Sequence, residues 1–373
     1  MSRIPFMRPT FPSAAVVAED YDRIRLSGIF TNSGPVEHNF SLALANWIGQ
    51  DVGVALVSSG TAGLQLAIQA LFLPRRRALV ASFTFAAGPL MLKLCGYEPI
   101  FIDISENDLQ PDLSQARGVL ENSSQSVGGI LLTNTFGIPN VEIGFWEDLA
   151  FEFNVPLIID SAAGFGSAFP SGKSLGASGD CEIFSLHATK ALAIGEGGAI
   201  SSRDPNLIER LVQLKNFGFD TSGVARQLGT NAKLPELSSA IGLRQLAELH
   251  ALLQQRREFF ALYKNALDEI DVWTPPLEQH SALPFVSAVM PSCESRDLLM
   301  KELSIHHIES RCYYNPPVDT HDVFASSPRV GGLETTAKIA ARIISLPIGG
   351  LHHDEVERVI RAVQDCATRW GAE

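Results

Sequence analysis

Along the first two thirds of the chain, short apolar runs alternate with longer segments in which apolar residues return every three or four positions. The runs at 54–57, 78–81, 99–102, 130–133, 155–159 and 182–185 are short and mostly apolar, and a further one begins near Ala199. Runs of this length, without polar alternation, predict strands buried on both faces, the habit of a mostly parallel sheet covered by helices. Helical spacing predicts helices over 14–27, 62–72, 89–95 and 36–48, the last with Phe40, Leu44 and Trp47 on one face.

After Pro235 the pattern changes. A long helix is predicted over 237–267, interrupted only by Gly242. Beyond it lie the joints Pro275-Pro276 and Pro316-Pro317 and a smaller α+β segment that closes with a helix over 354–369. The expected organisation is therefore α/β, with a large domain over 1–245 and a small C-terminal domain over 246–373.

Composition narrows the function classes. A chain of 373 residues with 46% hydrophobic and 19% charged residues has enough apolar surface for two cores. Its formal net charge of -12 argues against a broad nucleic-acid-binding face, though backbone amides can still hold a small anion. The five cysteines are widely spaced with no Cys-x-x-Cys pair, which fits reduced thiols better than a disulfide or zinc framework. The pairs His306-His307 and His352-His353 are sequence neighbours that do not converge on one ion, so no metal is expected. Residues 1–17 lack the continuous apolar core of a leader, and the most apolar window, 78–95, is broken by Gly88, Pro89 and Lys93. A cytoplasmic protein with no membrane partner is expected.

In such sheets ligands bind beyond the carboxyl ends of the strands, so the polar residues there carry the candidate chemistry. Lys190 lies in the stretch 180–200, among small and apolar residues with no carboxylate within five positions. Desolvation in that setting lowers an amine's pKa and makes it nucleophilic. Asp160 ends a buried strand and is followed by Ser161-Ala162-Ala163-Gly164; a buried acid needs a cationic partner, such as a protonated ring nitrogen, or a turn to cap. Ser59-Gly60-Thr61-Ala62 opens a helix whose free amides form an anion seat, and Ser185 can add a hydroxyl. Phe85, in a loop after a strand, can stack on a planar ring. A phosphate seat, a stacking ring, an acid for a heterocyclic nitrogen and an amine for an aldehyde together describe a pyridoxal 5'-phosphate site.

The motifs Thr31-Asn32-Ser33-Gly34-Pro35, Phe83-Thr84-Phe85, Phe184-Ser185-Leu186-His187-Ala188-Thr189-Lys190, Gly195-Glu196-Gly197-Gly198, Asn216-Phe217-Gly218 and Gly229-Thr230-Asn231 resemble, as a set and over nearly the whole chain, the DegT/StrS family of nucleotide-sugar aminotransferases. The resemblance implies fold type I, the architecture of aspartate aminotransferase. It implies that Lys190 holds the cofactor covalently, Asp160 pairs its pyridine nitrogen and Phe85 stacks on its ring. Gly60, Thr61, Ala62 and Ser185 would hold the phosphate, with Asn231 reaching it from the neighbouring subunit of a homodimer with shared active sites. The implied substrates are L-glutamate as amino donor and a keto-sugar on a nucleoside diphosphate. Thr31, Asn32, His187, Arg311, Tyr313 and Tyr314 are the candidate substrate contacts.

The chain departs from the common family pattern at Ala163, where a glutamine is frequent, and at Lys233, where an arginine is usual. Sugar dehydratases of the same family carry histidine in place of the lysine, and Lys190 argues against that activity. A lyase or aldolase acting on amino acids, or a non-catalytic cofactor-binding relative, are the other outcomes compatible with the same cofactor site.

Overall fold

In the computed structural model, which describes residues 2–370, the elements follow the predicted alternation. They run α1 (Ala14–Ser27), α2 (Pro35–Ile48), β1 (Gly53–Val57), α3 (Gly60–Leu71), β2 (Arg77–Ala81), α4 (Ala87–Leu94), β3 (Glu98–Ile102), α5 (Leu113–Ser123) and β4 (Val127–Thr133). Then come α6 (Ile143–Phe153), β5 (Leu157–Asp160), β6 (Cys181–Ser185), β7 (Gly198–Ser202), α7 (Pro205–Leu214) and the long α8 (Glu236–Asp268). The C-terminal part contains β8 (Val286–Val289), α9 (Cys293–Ile305), α10 (Glu334–Arg342), β9 (Ile343–Leu346) and α11 (His353–Ala367).

The large sheet has the order β1-β7-β6-β5-β4-β2-β3. Its pairings are parallel from β6 to β3, and β7 is the one reversed strand, antiparallel to both β6 and β1. Successive side chains of each strand enter opposite layers. Leu79, Ile130, Leu132, Leu157 and Ile159 pack against α5 and α6 through Leu120, Trp146 and Leu149. Val80, Leu131, Ile158, Ile183 and Ile200 pack against α3, α4 and α7 through Leu64, Leu92 and Leu211. Burial on both faces is why these strands read as continuous apolar runs.

The division expected near Gln245 lies inside α8, which is unbroken there. Leu249 and Leu253 pack with α2 beside the large sheet, whereas Phe259, Phe260 and Tyr263 of the same helix join the antiparallel pair β8–β9, α9 and α11 in a second core. Ile4, near the start of the chain, also packs in this second core. Among the described residues no helix is long and apolar enough to cross a membrane.

The loop before α2 is tied to α8 by a buried carboxylate. Glu236 accepts hydrogen bonds from the backbone N–H groups of Val36 and Glu37, both 2.9 Å, and so caps α2 from outside its own sequence. Gly34 has to be glycine here, because a Cβ would lie 2.7 Å from the Glu236 carboxyl carbon. One turn on, Glu37 pairs with Lys215 at 2.6 Å, both buried, and the lysine also donates to the Leu56 carbonyl at 2.9 Å. Removing one member of such a pair strands the other charge. Lys215→Met is expected to cost about 3–5 kcal/mol in urea unfolding, most of it recovered by adding Glu37→Leu. A single variant as stable as the parent would show that this pair does not stabilise the fold.

Candidate active site

Three strand ends meet where the chemistry was expected. β1 leads into Ser59, whose hydroxyl oxygen accepts the Ala62 N–H at 3.0 Å and caps α3. That bond engages Ala62, leaving the N–H groups of Gly60 and Thr61 without partners among the described residues. Gly60 is packed against the end of β6, where a Cβ would stand 3.0 Å from Ser185 Cβ and 3.2 Å from its Cα. Free amides and the positive end of the α3 dipole, packed beside Ser185 whose hydroxyl oxygen accepts the His187 N–H at 3.3 Å, make this turn the candidate anion seat. Gly60→Ala forces α3 and β6 apart at this point. It is expected to weaken pyridoxal phosphate binding by roughly 5- to 150-fold, the equivalent of about 1–3 kcal/mol of overpacking, measured by titrating cofactor into the cofactor-free protein.

Asp160 closes β5, 6% exposed. One carboxylate oxygen accepts the Ala162 N–H at 3.0 Å, and the other has no donor among the described residues. Burial raises its pKa, while the Ala162 N–H and the charge of Lys190 pull it back down. Lys190 follows a turn fixed by its own N–H donating to the His187 carbonyl at 2.9 Å. Part of its surface faces open space, yet protein crowds the amine on the other sides; this desolvation lowers its pKa, opposed by the negative charge of Asp160. An acid and an amine that hold each other's charge, each with capacity left over, suit a ligand with both a cationic ring nitrogen and an aldehyde.

Beneath Asp160 lies a polar group that sequence reasoning passed over. Asn134 donates to the Ser161 hydroxyl oxygen at 2.8 Å, and Ser161 donates to Glu182 at 3.1 Å, all three buried. Burial pushes Glu182 up to about 7. The signal was a glutamate near the start of the short strand Cys181–Ser185, which needs polar company wherever it is buried.

Phe85 stands after β2 with 60% of its surface exposed, its ring centroid 6.4 Å from that of Tyr314. Tyr314 packs in turn on Phe83 and Phe136, and burial together with the Asp160 charge raises its pKa, so its hydroxyl stays protonated. Phe85, Tyr313, Tyr314 and Arg311 line a cavity of about 690 Å³ whose walls do not include Lys190 or Asp160. Tyr314 joins the two regions, lining the cavity while feeling the charge of Asp160.

His187 is turned to its own loop. Nδ1 accepts the Thr189 N–H at 3.3 Å and lies 2.9 Å from the Thr189 hydroxyl, while Nε2 is 3.6 Å from Glu196. It shapes the turn that presents Lys190. Thr31 and Asn32 are exposed in the loop before α2, with Asn32 in the left-handed region at φ 67°. Asn231 is exposed and bridges to Asn216 through the backbone. Lys233 donates to the Asn216 side chain at 2.9 Å and lies over the Phe217 ring at 4.8 Å. Within one chain, Thr31, Asn32 and Asn231 make no hydrogen bond to the rest of the site among the described residues.

Similarity to known proteins agrees with this geometry. Protein Rv3402c of Mycobacterium tuberculosis is 41% identical over 374 residues, covering 98% of this chain and 91% of that protein. The dTDP-4-amino-4,6-dideoxy-D-glucose transaminase of Shigella dysenteriae is 27% identical, covering 90% of this chain and 91% of its own length. The crystal structure of DesI in the presence of its TDP-sugar product superimposes with a TM-score of 0.90 at 30% identity, covering 99% of this chain and 94% of that one. With this likeness the large sheet and its smaller companion domain are those of fold type I. The profile of the DegT/DnrJ/EryC1/StrS aminotransferase family matches residues 15–364, and the chain belongs to that family.

Proposed function

We propose that the protein transfers the amino group of L-glutamate to the keto group of a deoxy sugar carried on a nucleoside diphosphate. The observation that carries this is the meeting of Lys190, Asp160 and the Gly60–Ser185 anion seat beside an aromatic, arginine-bearing cavity. Relatives named as nucleotide-sugar transaminases support the substrate class. The enzyme is a transaminase and pyridoxal 5'-phosphate is its cofactor.

The residues fit that group: the free N–H groups of Gly60 and Thr61 and the Ser185 hydroxyl would take the phosphate, and the open oxygen of Asp160 the pyridine nitrogen. When bound, the cofactor supplies an electron sink for the carbon that loses its proton. The chain's own residues do the rest. Asp160, as a carboxylate accepting the ring N–H, would favour the protonated ring nitrogen. Phe85 offers a flat apolar face that fixes the ring plane and excludes water from one side. Lys190, an amine with a lowered pKa, takes the proton from the donor's α-carbon and returns a proton to the sugar carbon in the second half-reaction. Tyr313 and Tyr314 give the sugar and base aromatic surface, and Arg311 at the rim suits a diphosphate.

The working unit in this proposal is a homodimer, in which exposed Asn231 completes the neighbour's phosphate seat and the Thr31–Asn32 loop borders its substrate. Purified protein incubated with L-glutamate and a dTDP-, UDP- or GDP-linked keto sugar should release 2-oxoglutarate in step with amino-sugar nucleotide. Turnover with free keto acids, and none with any sugar nucleotide, would replace this proposal with an amino-acid-directed activity.

A further inference from the structure

One residue of α8 holds the loop before α2 at both of its ends. The Glu236 N–H donates to the Phe30 carbonyl at 3.0 Å, where the loop begins. The Glu236 carboxylate accepts the Val36 and Glu37 N–H groups, both at 2.9 Å, where the loop ends. Between these anchors Thr31, Asn32 and Ser33 are exposed, and none of the three forms a hydrogen bond among the described residues. Asn32 and Ser33 are consecutive left-handed residues, at φ 67° and 58°, a region sparsely populated outside glycine. A loop with that backbone and no bonds of its own takes its shape from its anchors.

Capping alone does not call for this arrangement. A helix is capped at low cost by a Ser, Thr, Asp or Asn at its own N-cap. Here the N-cap is Gly34, which has no side chain to offer, and the acceptor comes from 200 residues along the chain. Glu236 is 1% exposed and forms no ion pair among the described residues, so a buried carboxylate is held by two amides and the end of a helix dipole. What a local cap cannot do is tie the loop to the segment that precedes α8. That segment is fixed by other bonds, since Ala232 donates to the Lys215 carbonyl at 2.9 Å and accepts the Ser58 N–H at 2.8 Å. Glu236 thus joins the Thr31–Ser33 loop to the frame that carries Asn231 and the Ser59–Gly60 turn.

We propose that Glu236 is a positioning residue for the sugar nucleotide, fixing the Thr31–Asn32 loop relative to Asn231 so that both reach the neighbouring subunit's site as one unit. This rests on the homodimeric transaminase proposed above. Glu236 acts through the loop and touches no substrate. Asn231 keeps its place through the backbone bonds of Ala232, so the phosphate seat does not depend on the Glu236 carboxylate.

The test uses the full-length protein loaded with pyridoxal phosphate and compares the parent, Glu236→Ala and the double variant Glu236→Ala/Gly34→Ser. The serine stands at the N-cap, where φ is -75°, and takes space left by the glutamate side chain once the end of Ile29 shifts. It caps α2 locally and restores no tether. Melting curves, light scattering, kcat and KM for both substrates, and calorimetric binding of dTDP-glucose and UDP-glucose as unreactive sugar nucleotides are the readouts. Glu236→Ala should melt earlier and weaken the sugar nucleotide, in KM and in Kd, by roughly 10- to 100-fold, the scale on which a misplacement of about 1 Å away from the chemistry costs. The KM for L-glutamate should move much less. The double variant should regain the melting temperature and keep the weakened sugar nucleotide. If Glu236→Ala does not fold, Glu236→Gln, which retains one acceptor, carries the comparison. Recovery of sugar-nucleotide binding together with melting would reduce Glu236 to a cap and overturn the proposal, as would normal binding in a folded dimeric Glu236→Ala. Variants that dissociate to monomers would overturn it too, by assigning Glu236 to the assembly and not to the loop. A parent that neither turns over nor binds any sugar nucleotide defeats the functional proposal and this one with it; an active parent with an unaffected variant defeats this one alone.

Discussion

Replacing Lys190 by alanine is expected to lower kcat by about 10⁴-fold or more while leaving the fold in place. A positioned acid–base group contributes up to about 10⁴-fold by proton transfer alone, and here the same amine also anchors the cofactor. The fold should survive because the turn does not depend on the side chain. The Lys190 N–H is held by the His187 carbonyl, Ala188 donates to Gly195, and His187 is braced by Thr189. Single-turnover assays with L-glutamate, paired with melting curves, check both halves of this expectation. Residual turnover within tenfold of the parent would remove Lys190 from the chemistry.

Asp160→Asn should be the second most damaging change, lowering kcat by roughly 10²- to 10³-fold, the range for losing one preorganised electrostatic contact to a developing charge. Asparagine keeps an oxygen for the Ala162 N–H at the same place, so the turn after β5 is preserved. What is lost is the negative charge that favours a protonated ring nitrogen, and with it some cofactor affinity, visible as faster loss of colour on dialysis. There is a further consequence for Lys190. Asp160 raises the pKa of that amine against the lowering effect of burial. Removing its charge from the cofactor-free protein should shift the amine's pKa further down, so that Lys190 is acylated by an amine-reactive reagent at lower pH than in the parent. An unchanged pH profile would show that the two groups are not coupled.

The sheet was legible because its strands are covered on both faces and therefore advertise themselves as unbroken apolar runs; α1 was read with the bounds it has, Ala14–Ser27. The ends were harder to place. Helix α3 was expected from 62, yet it begins at Gly60, because Ser59 caps it by accepting the Ala62 N–H. The division near Gln245 looked natural from the change in pattern, but α8 carries side chains for two cores along one continuous helix. Lys190, Asp160, Gly60 and Ser185 were readable because each is a small-residue or polar interruption at the end of an apolar run. Glu182 was hidden inside such a run, and its partners Asn134 and Ser161 come from other strand ends, so no local pattern joins them.

The central claim is that Lys190 and Asp160 operate a cofactor that shuttles an amino group from glutamate to a sugar nucleotide. One absorption series on the purified protein tests it most directly. The protein loaded with pyridoxal phosphate should be yellow, lose that band when L-glutamate is added, and regain it when a keto-sugar nucleotide follows, with Lys190→Ala failing to complete the cycle. A protein that stays colourless after reconstitution, or a Lys190→Ala variant that cycles like the parent, would contradict the account.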